Sequence, residues 1–214
     1  MLKAIIFDFD GVICESVEVK TEAFRKLFVD YPDQLAQIIQ YHVDNGGLSR
    51  FVKFTHIYKE FLNKELTQAE SQKLGKKFTE LCYEGVLTAP YVPGAYEFLK
   101  KYYKKYDLFV VSGTPQTEIA SIVHERGLGK FFKGVYGSPR LKDKIIRDIL
   151  KKNGWGPYEA VFVGDSMNDK DASFKTSMRF IGRLHDQYPN PFRQKDDLIK
   201  DFHDLEKIIS GMIV

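Results

Sequence analysis

The sequence predicts an α/β protein: a parallel-sheet core interrupted by an inserted helical unit. Short β-rich apolar runs at residues 4–9, 108–112, 134–137, 160–164 and 179–182 alternate with helical stretches, and that alternation builds a parallel sheet covered on both faces. Between the first and second runs, residues 17–88 contain no strand-like run. Their apolar residues, such as Ala23, Leu27 and Phe28 and later Phe51, Phe54, Ile57, Tyr58, Phe61 and Leu62, recur at helical spacing. At 214 residues the chain exceeds a usual single domain and falls short of two full ones. The expected organisation is a core formed by residues 1–16 and 89–214 and a helical cap formed by residues 17–88. Its hinges are Glu15-Ser16 and the proline- and glycine-punctuated stretch 88–94.

The elements follow from the residues in order. Ala4-Ile5-Ile6-Phe7 is an apolar run with β-branched members, and in a strand side chains two apart share a face, so Asp8 and Asp10 are expected together at its end. Unpaired, they would repel and lose solvation, so they ask for a cation, a shared proton or a functional reason. A chain that detours through a helical unit after this strand hangs that unit over the strand's C-terminal end, where open parallel sheets bind ligands. Within the insert acidic and basic residues balance, so charge gives no clue to substrate sign. His42 and His56 show no partner in the sequence and receive no catalytic role. Positions 95, 98, 99, 102, 103 and 106 form one helical stripe opposite a lysine stripe, which predicts an amphipathic surface helix over 95–106.

Phe109-Val110-Val111-Ser112-Gly113-Thr114-Pro115 reads as a strand ending in a small hydroxyl. Ser112 and the backbone at Gly113 suit a phosphoryl oxygen because they donate hydrogen bonds without bulk. Thr114 also reads as a helix cap with Pro115 at the first helical position, and the two roles are compatible because a helix start is itself an anion site. Ala160–Gly164 is a further apolar strand followed by Asp165; a helical turn beginning at Ser166 brings Asp165 and Asp169 near one another.

A formal charge of +3 is too small to argue for nucleic acid. Composition, with 43% hydrophobic and 29% charged residues and a mean hydropathy of −0.31, is that of a soluble globular protein. The start MLKAIIFDFD lacks a signal-peptide apolar region and no run is long enough for a membrane span. The expected location is the cytoplasm, with no membrane partner. The two cysteines, Cys14 and Cys82, lack metal-type spacing and are expected as reduced thiols. Oligomeric state is not legible.

Four stretches resemble the haloacid dehalogenase-like superfamily, along most of the chain: Asp8-Phe9-Asp10-Gly11-Val12 its DxDG motif, Ser112 its strand-end hydroxyl, Lys142 its helix-start lysine, and Gly164-Asp165…Asp169 its GDxxxD motif. For the lysine, Lys142 precedes Ile146, Ile149 and Leu150 at helical spacing and is preferred over its competitor Lys144. The resemblance implies a Rossmann-like parallel-sheet core with an α-helical cap, like the phosphoglycolate-phosphatase and β-phosphoglucomutase branch. It implies Mg2+ held by Asp8, the backbone carbonyl of Asp10 and Asp165, with Asp169 contributing from behind or through water. It further implies Asp8 as nucleophile, Asp10 as general acid/base, and Ser112, Gly113 and Lys142 as phosphate-binding groups. Dehalogenases and phosphonate-cleaving relatives lack an acid at the position of Asp10, so phosphate-ester chemistry on a small phosphorylated metabolite is the expected activity.

Gly47-Leu48-Ser49-Arg50 resembles the G-x-S-R segment of β-phosphoglucomutase-like caps, which makes Arg50 a candidate substrate contact or an ordinary surface arginine. Lys20 and Thr114 are further candidates. Mutases of this type carry a histidine where this chain has Lys20, and they tend to show an ED pair where it has Gly164-Asp165. A phosphomutase is therefore the second reading, and a non-catalytic phosphate-binding protein on the same fold the third.

Overall fold

The computed structural model describes residues 1–193 and 196–212, so positions 194, 195, 213 and 214 of the expected core segment lie outside the described residues. The run Ala4–Phe7 is strand β1, buried at every residue. It pairs in parallel with β2 (Asp107–Pro115) on one side and β4 (Ala160–Gly164) on the other, Ala4 lying opposite both Asp107 and Ala160. With β3 (Gly134–Ser138), β5 (Arg179–Arg183) and β6 (Asp197–Ile199) the order is β3-β2-β1-β4-β5-β6, every pairing parallel.

Alternation along the strands sorts the core into two layers. Ala4, Ile6, Phe109, Val111, Ala160 and Phe162 pack with Ile145, Ile146 and Ile149 of helix α7 (Lys142–Asn153) and Ala172 of α8 (Met167–Lys175). Ile5, Phe7, Val110 and Val163 face the other way, toward α5 (Ala95–Tyr102), α6 (Gln116–Glu125) and α9 (Phe202–Gly211). There Phe7 meets Phe98 and Phe202 at ring separations of 6.3 and 5.8 Å. Strands buried on both faces are what a parallel sheet demands.

Between β1 and α5 the chain forms no strand, only helices: α1 (Val17–Leu27), α2 (Pro32–Asp44), α3 (Arg50–His56), a wider helical turn (Ile57–Phe61) and α4 (Gln68–Thr88). Their apolar stripes converge on an aromatic centre in which Phe24 lies 5.7 Å from Phe54 and 4.9 Å from Phe78. Thr67 and Glu70 close a reciprocal cap on α4.

The structure moves several expected boundaries. β1 stops at Phe7 rather than residue 9, because the Phe9 carbonyl accepts from the amides of Val12, Ile13 and Cys14 in a tight turn. Gly11 takes φ +73 there, a left-handed conformation that a side chain would resist. β2 runs on to Pro115 after a register shift beyond Val111, so α6 begins at Gln116, with Pro115 as its N-cap rather than its first residue and Thr114 still in the strand. The expected helix over 95–106 ends at Tyr102, and a turn turns the chain back into β2. β6 and α9 carry too short or too late a signal to have been read. Among the described residues no helix is long and apolar enough to cross a membrane.

Candidate active site

The C-terminal ends of β1 and β4 lie beside the stretch of β2 that follows its register shift, and each delivers a polar residue there: Asp8, Asp165 and Ser112. Asp8 continues the alternation of Ala4 and Ile6, which turns it toward the α7 layer. From the first residue of α7, Lys142 donates to Asp8 Oδ2 at 2.7 Å and to Asp169 Oδ1 at 2.5 Å. Lys144 is exposed and lies 4.0 Å from Asp143. Asp169 is fully buried and forms a reciprocal cap with Ser166 at the start of α8, accepting from Ser166 Oγ at 2.6 Å.

Asp10 does not share the surroundings of Asp8. The turn after Phe7 aims it at the helical segment, where it accepts from Ser16 Oγ at 2.7 Å, from Thr114 Oγ1 at 3.2 Å and from Lys20 Nζ of α1. Lys20 also reaches Thr114 Oγ1 at 2.7 Å. Both carboxylates nevertheless line one cavity of about 300 Å³ between the strand ends and the helices, together with Ser112, Gly113, Thr114 and Asp165.

The electrostatics separate the two acids. Burial pushes the Asp8 carboxyl well above its ordinary value; Lys142 opposes this, and the neighbouring Asp169, Asp165 and Asp10 add to it. Burial also acts on Asp10, but Lys20 and the hydroxyls of Ser16 and Thr114 outweigh it and hold that carboxyl low. Lys142 is raised: burial works against its charge, and Asp169 and Asp8 more than compensate. Asp8, Asp165 and Asp169 each offer an oxygen within 4.8 Å of the others, and this hard-oxygen donor set fits a magnesium-type cation.

The helical segment closes over the strand ends by backbone contact. Gly47, at φ +71, lies so close that an added Cβ would stand 3.1 Å from Lys142 Nζ, and a Cβ on Gly113 would stand 2.4 Å from the Gly47 carbonyl oxygen. Lys142 thus sits beneath this loop and behind Asp8. Arg50, at the start of α3, lines the cavity but commits its guanidinium to Glu118 of α6, at 2.5 and 3.0 Å, with Thr79 of α4 bonded to both. Lys20, likewise a candidate substrate contact, is committed to Asp10 and Thr114.

His185 and Lys53 were not singled out in the sequence, and His42 was given no catalytic role. His185, two residues beyond β5, lies 2.8 Å from Asp165 Oδ2 through Nε2, and its Nδ1 accepts from Arg183 at 2.8 Å; the arginine can only donate, which fixes the imidazole as an Nε2–H donor to Asp165. The signal was its place at another strand end. Lys53 and His42 line the cavity from the helical side. Lys53 occupies an apolar-stripe position of α3, one residue before Phe54.

Residues 2–173 match a family of haloacid dehalogenase-like hydrolases. The chain belongs to that family. It is therefore an enzyme of the haloacid dehalogenase-like hydrolase class. The phosphoglycolate phosphatase of Haemophilus influenzae (strain Rd) is 24% identical over 221 residues, covering 97% of this chain and 98% of that one. Among solved structures, a predicted phosphoglycolate phosphatase from Haemophilus somnus superposes with a TM-score of 0.75 at 22% identity over 97% of this chain and 98% of that one. β-Phosphoglucomutase from Clostridium difficile superposes with a TM-score of 0.77 at 18% identity over 100% and 98%. As a member of this family the chain has the expected α/β fold, with helices between β1 and β2.

Proposed function

We propose that the chain is a cytoplasmic, magnesium-dependent phosphatase that hydrolyses a small phosphorylated metabolite through an aspartyl-phosphate intermediate. The observation that carries this reading is the placement of two unlike carboxylates, Asp8 and Asp10, in one cavity: the first is backed by Lys142, the second is held by a cation and two hydroxyls. A phosphatase named among the relatives supports it, as do two free, buried cysteines, one with its thiol pushed by burial up to about 12, which suit a reducing compartment.

In this reading residues 17–88 form a lid over a core of residues 1–16 and 89–214. Asp8 attacks phosphorus and carries the phosphoryl group, while Asp10, ionised in the free protein, takes up the proton of an incoming phosphate monoanion, gives it to the departing alkoxide and then takes one from the water that hydrolyses the acyl phosphate. Ser112, the Gly113 amide and Lys142 offset charge on the phosphoryl oxygens. Asp8, the Asp10 carbonyl and Asp165 would hold magnesium, which supplies charge shielding that lets a carboxylate approach a phosphate dianion; Asp169 supports this set from behind. The helices shield the cavity from bulk water.

The test is magnesium-dependent release of phosphate from an aryl phosphate and a panel of small phosphate esters by the wild type and by Asp8→Asn. Equal release by the two proteins would sink the reading. Product analysis for an isomer without free phosphate would convert it to a mutase.

A further inference from the structure

Arg183, the last residue of β5, is buried, and its guanidinium is held on every side. Nε donates to the Lys200 carbonyl at 3.1 Å. Nη1 lies 3.1 Å from the Gly11 carbonyl, 2.8 Å from Glu15 Oε2 and 2.8 Å from His185 Nδ1, and Nη2 donates to Glu15 Oε1. Glu15 alone grips both terminal nitrogens, and a fork of this kind fixes the plane of the guanidinium. It is also the one carboxylate paired with Arg183 among the described residues. Glu15 stands where the chain leaves the sheet for α1, and its amide donates at 2.9 Å to the Pro90 carbonyl, on the segment by which the chain returns. An unbroken run of contacts therefore leads from this double crossing through Arg183 and His185 to Asp165, a member of the acidic cluster.

We propose that Glu15 and Arg183 are positioning residues for the magnesium centre: from the crossing between sheet and helices they set the imidazole tautomer that holds Asp165, although neither touches the ion. The proposal rests on the magnesium site of the phosphatase reading and adds to it two residues that lie beyond its ligands. The physical step is the placing of one proton. A neutral imidazole carries a single N–H, and its tautomer is set by what the other nitrogen meets. Arg183 can only donate, so His185 Nδ1 accepts and Nε2–H points at Asp165. Released from Glu15, the guanidinium is left without a counter-charge and turns toward water, where it is better solvated. His185 then admits the other tautomer, whose bare Nε2 lone pair faces a carboxylate and pushes Asp165 away. The same Nη1 bonds the Gly11 carbonyl, one peptide beyond the Asp10 carbonyl, so one group braces both ligands assigned beside Asp8.

The probe is magnesium alone, titrated by calorimetry without substrate into the wild type, Glu15→Gln, His185→Ala and the double variant, while ring-nitrogen NMR shifts report the His185 tautomer. Glu15→Gln puts an amide N–H where an acceptor stood and breaks the fork. It is expected to weaken magnesium binding by about three-fold or more and to convert His185 from the Nε2–H tautomer to a mixture. In the His185→Ala background the same substitution is expected to leave magnesium affinity unchanged, because the path is already cut. A merely structural role for Glu15 would weaken binding equally in both backgrounds. That result, or an unchanged affinity or an unchanged tautomer in Glu15→Gln, overturns the proposal. Should Glu15→Gln not fold, Glu15→Asp, which draws the carboxylate back by one methylene, carries the same comparison. Absence of phosphate release with this pattern intact overturns the phosphatase reading alone.

Discussion

Arg50 and Glu118 meet in a two-pronged ion pair, guanidinium nitrogens at 2.5 and 3.0 Å from the two carboxylate oxygens, and the pair joins α3 of the helical segment to α6 of the sheet layer. Both side chains are buried, and Phe78 stacks 4.4 Å from the guanidinium. Glu118→Ala strands the arginine charge and is expected to cost about 3–5 kcal/mol. Removing both charges in Arg50→Met/Glu118→Ala is expected to restore most of that loss. Urea unfolding of the three proteins measures it; a double variant no more stable than the single would show that the pair is not the relevant coupling.

The two lysines of α7 should behave as opposites. Lys142→Met leaves Asp8 and Asp169 buried with no cation and is expected to lower kcat by about 10³-fold. Lys144→Ala changes an exposed side chain and is expected to stay within about 0.5 kcal/mol of the wild type in stability, with unchanged rates. Steady-state assays of both variants decide between them.

Protons and magnesium should compete at Asp8. Burial raises this carboxyl, so in the free protein the protonated form persists to higher pH than for an ordinary aspartate. A metal ligand must be deprotonated. Magnesium affinity is therefore expected to fall with decreasing pH, and to begin falling at higher pH than for ordinary aspartate ligands, with proton release on binding. Calorimetric titration in buffers of different ionisation enthalpy measures both, and an affinity that falls only where ordinary aspartates titrate would contradict the assignment.

His185 donates to Asp165 from Nε2 and is itself held by Arg183. An outer partner of this kind orients a ligand without touching the ion. His185→Ala is expected to weaken magnesium activation by about ten-fold while leaving kcat at saturating magnesium near the wild-type value. The dependence of phosphate release on magnesium concentration tests it.

The strand ends were readable because each couples a short apolar run to a polar residue immediately after it, a purely local signal; Asp8, Ser112 and Asp165 come from such runs. The different surroundings of Asp8 and Asp10 were not readable. A strand continued to residue 9 puts both on one face, and only the hydrogen bonds of Val12, Ile13 and Cys14 to the Phe9 carbonyl end it at Phe7. Arg50, Lys53 and Glu118 occupy positions that helical spacing assigns to buried faces. The pattern marks them as unusual, but their partners come from other elements, which no local pattern names. β6 has three residues, too few for alternation to show.

On the proposed mechanism, the contact of Gly113 with Gly47 has a consequence for the fate of the phosphorylated enzyme. At this point the two backbones meet without a side chain between them, and the hydrogen atoms of Gly47 and Gly113 set how closely they approach where other residues carry carbon. A phosphoryl group held on Asp8 in that mechanism would be divided between water and any alcohol that shares its enclosure, and that division would follow the room left beneath the seam. Hydrolase and transferase behaviour in such a pocket would then differ by the space of one methyl group rather than by any change in the reacting residues.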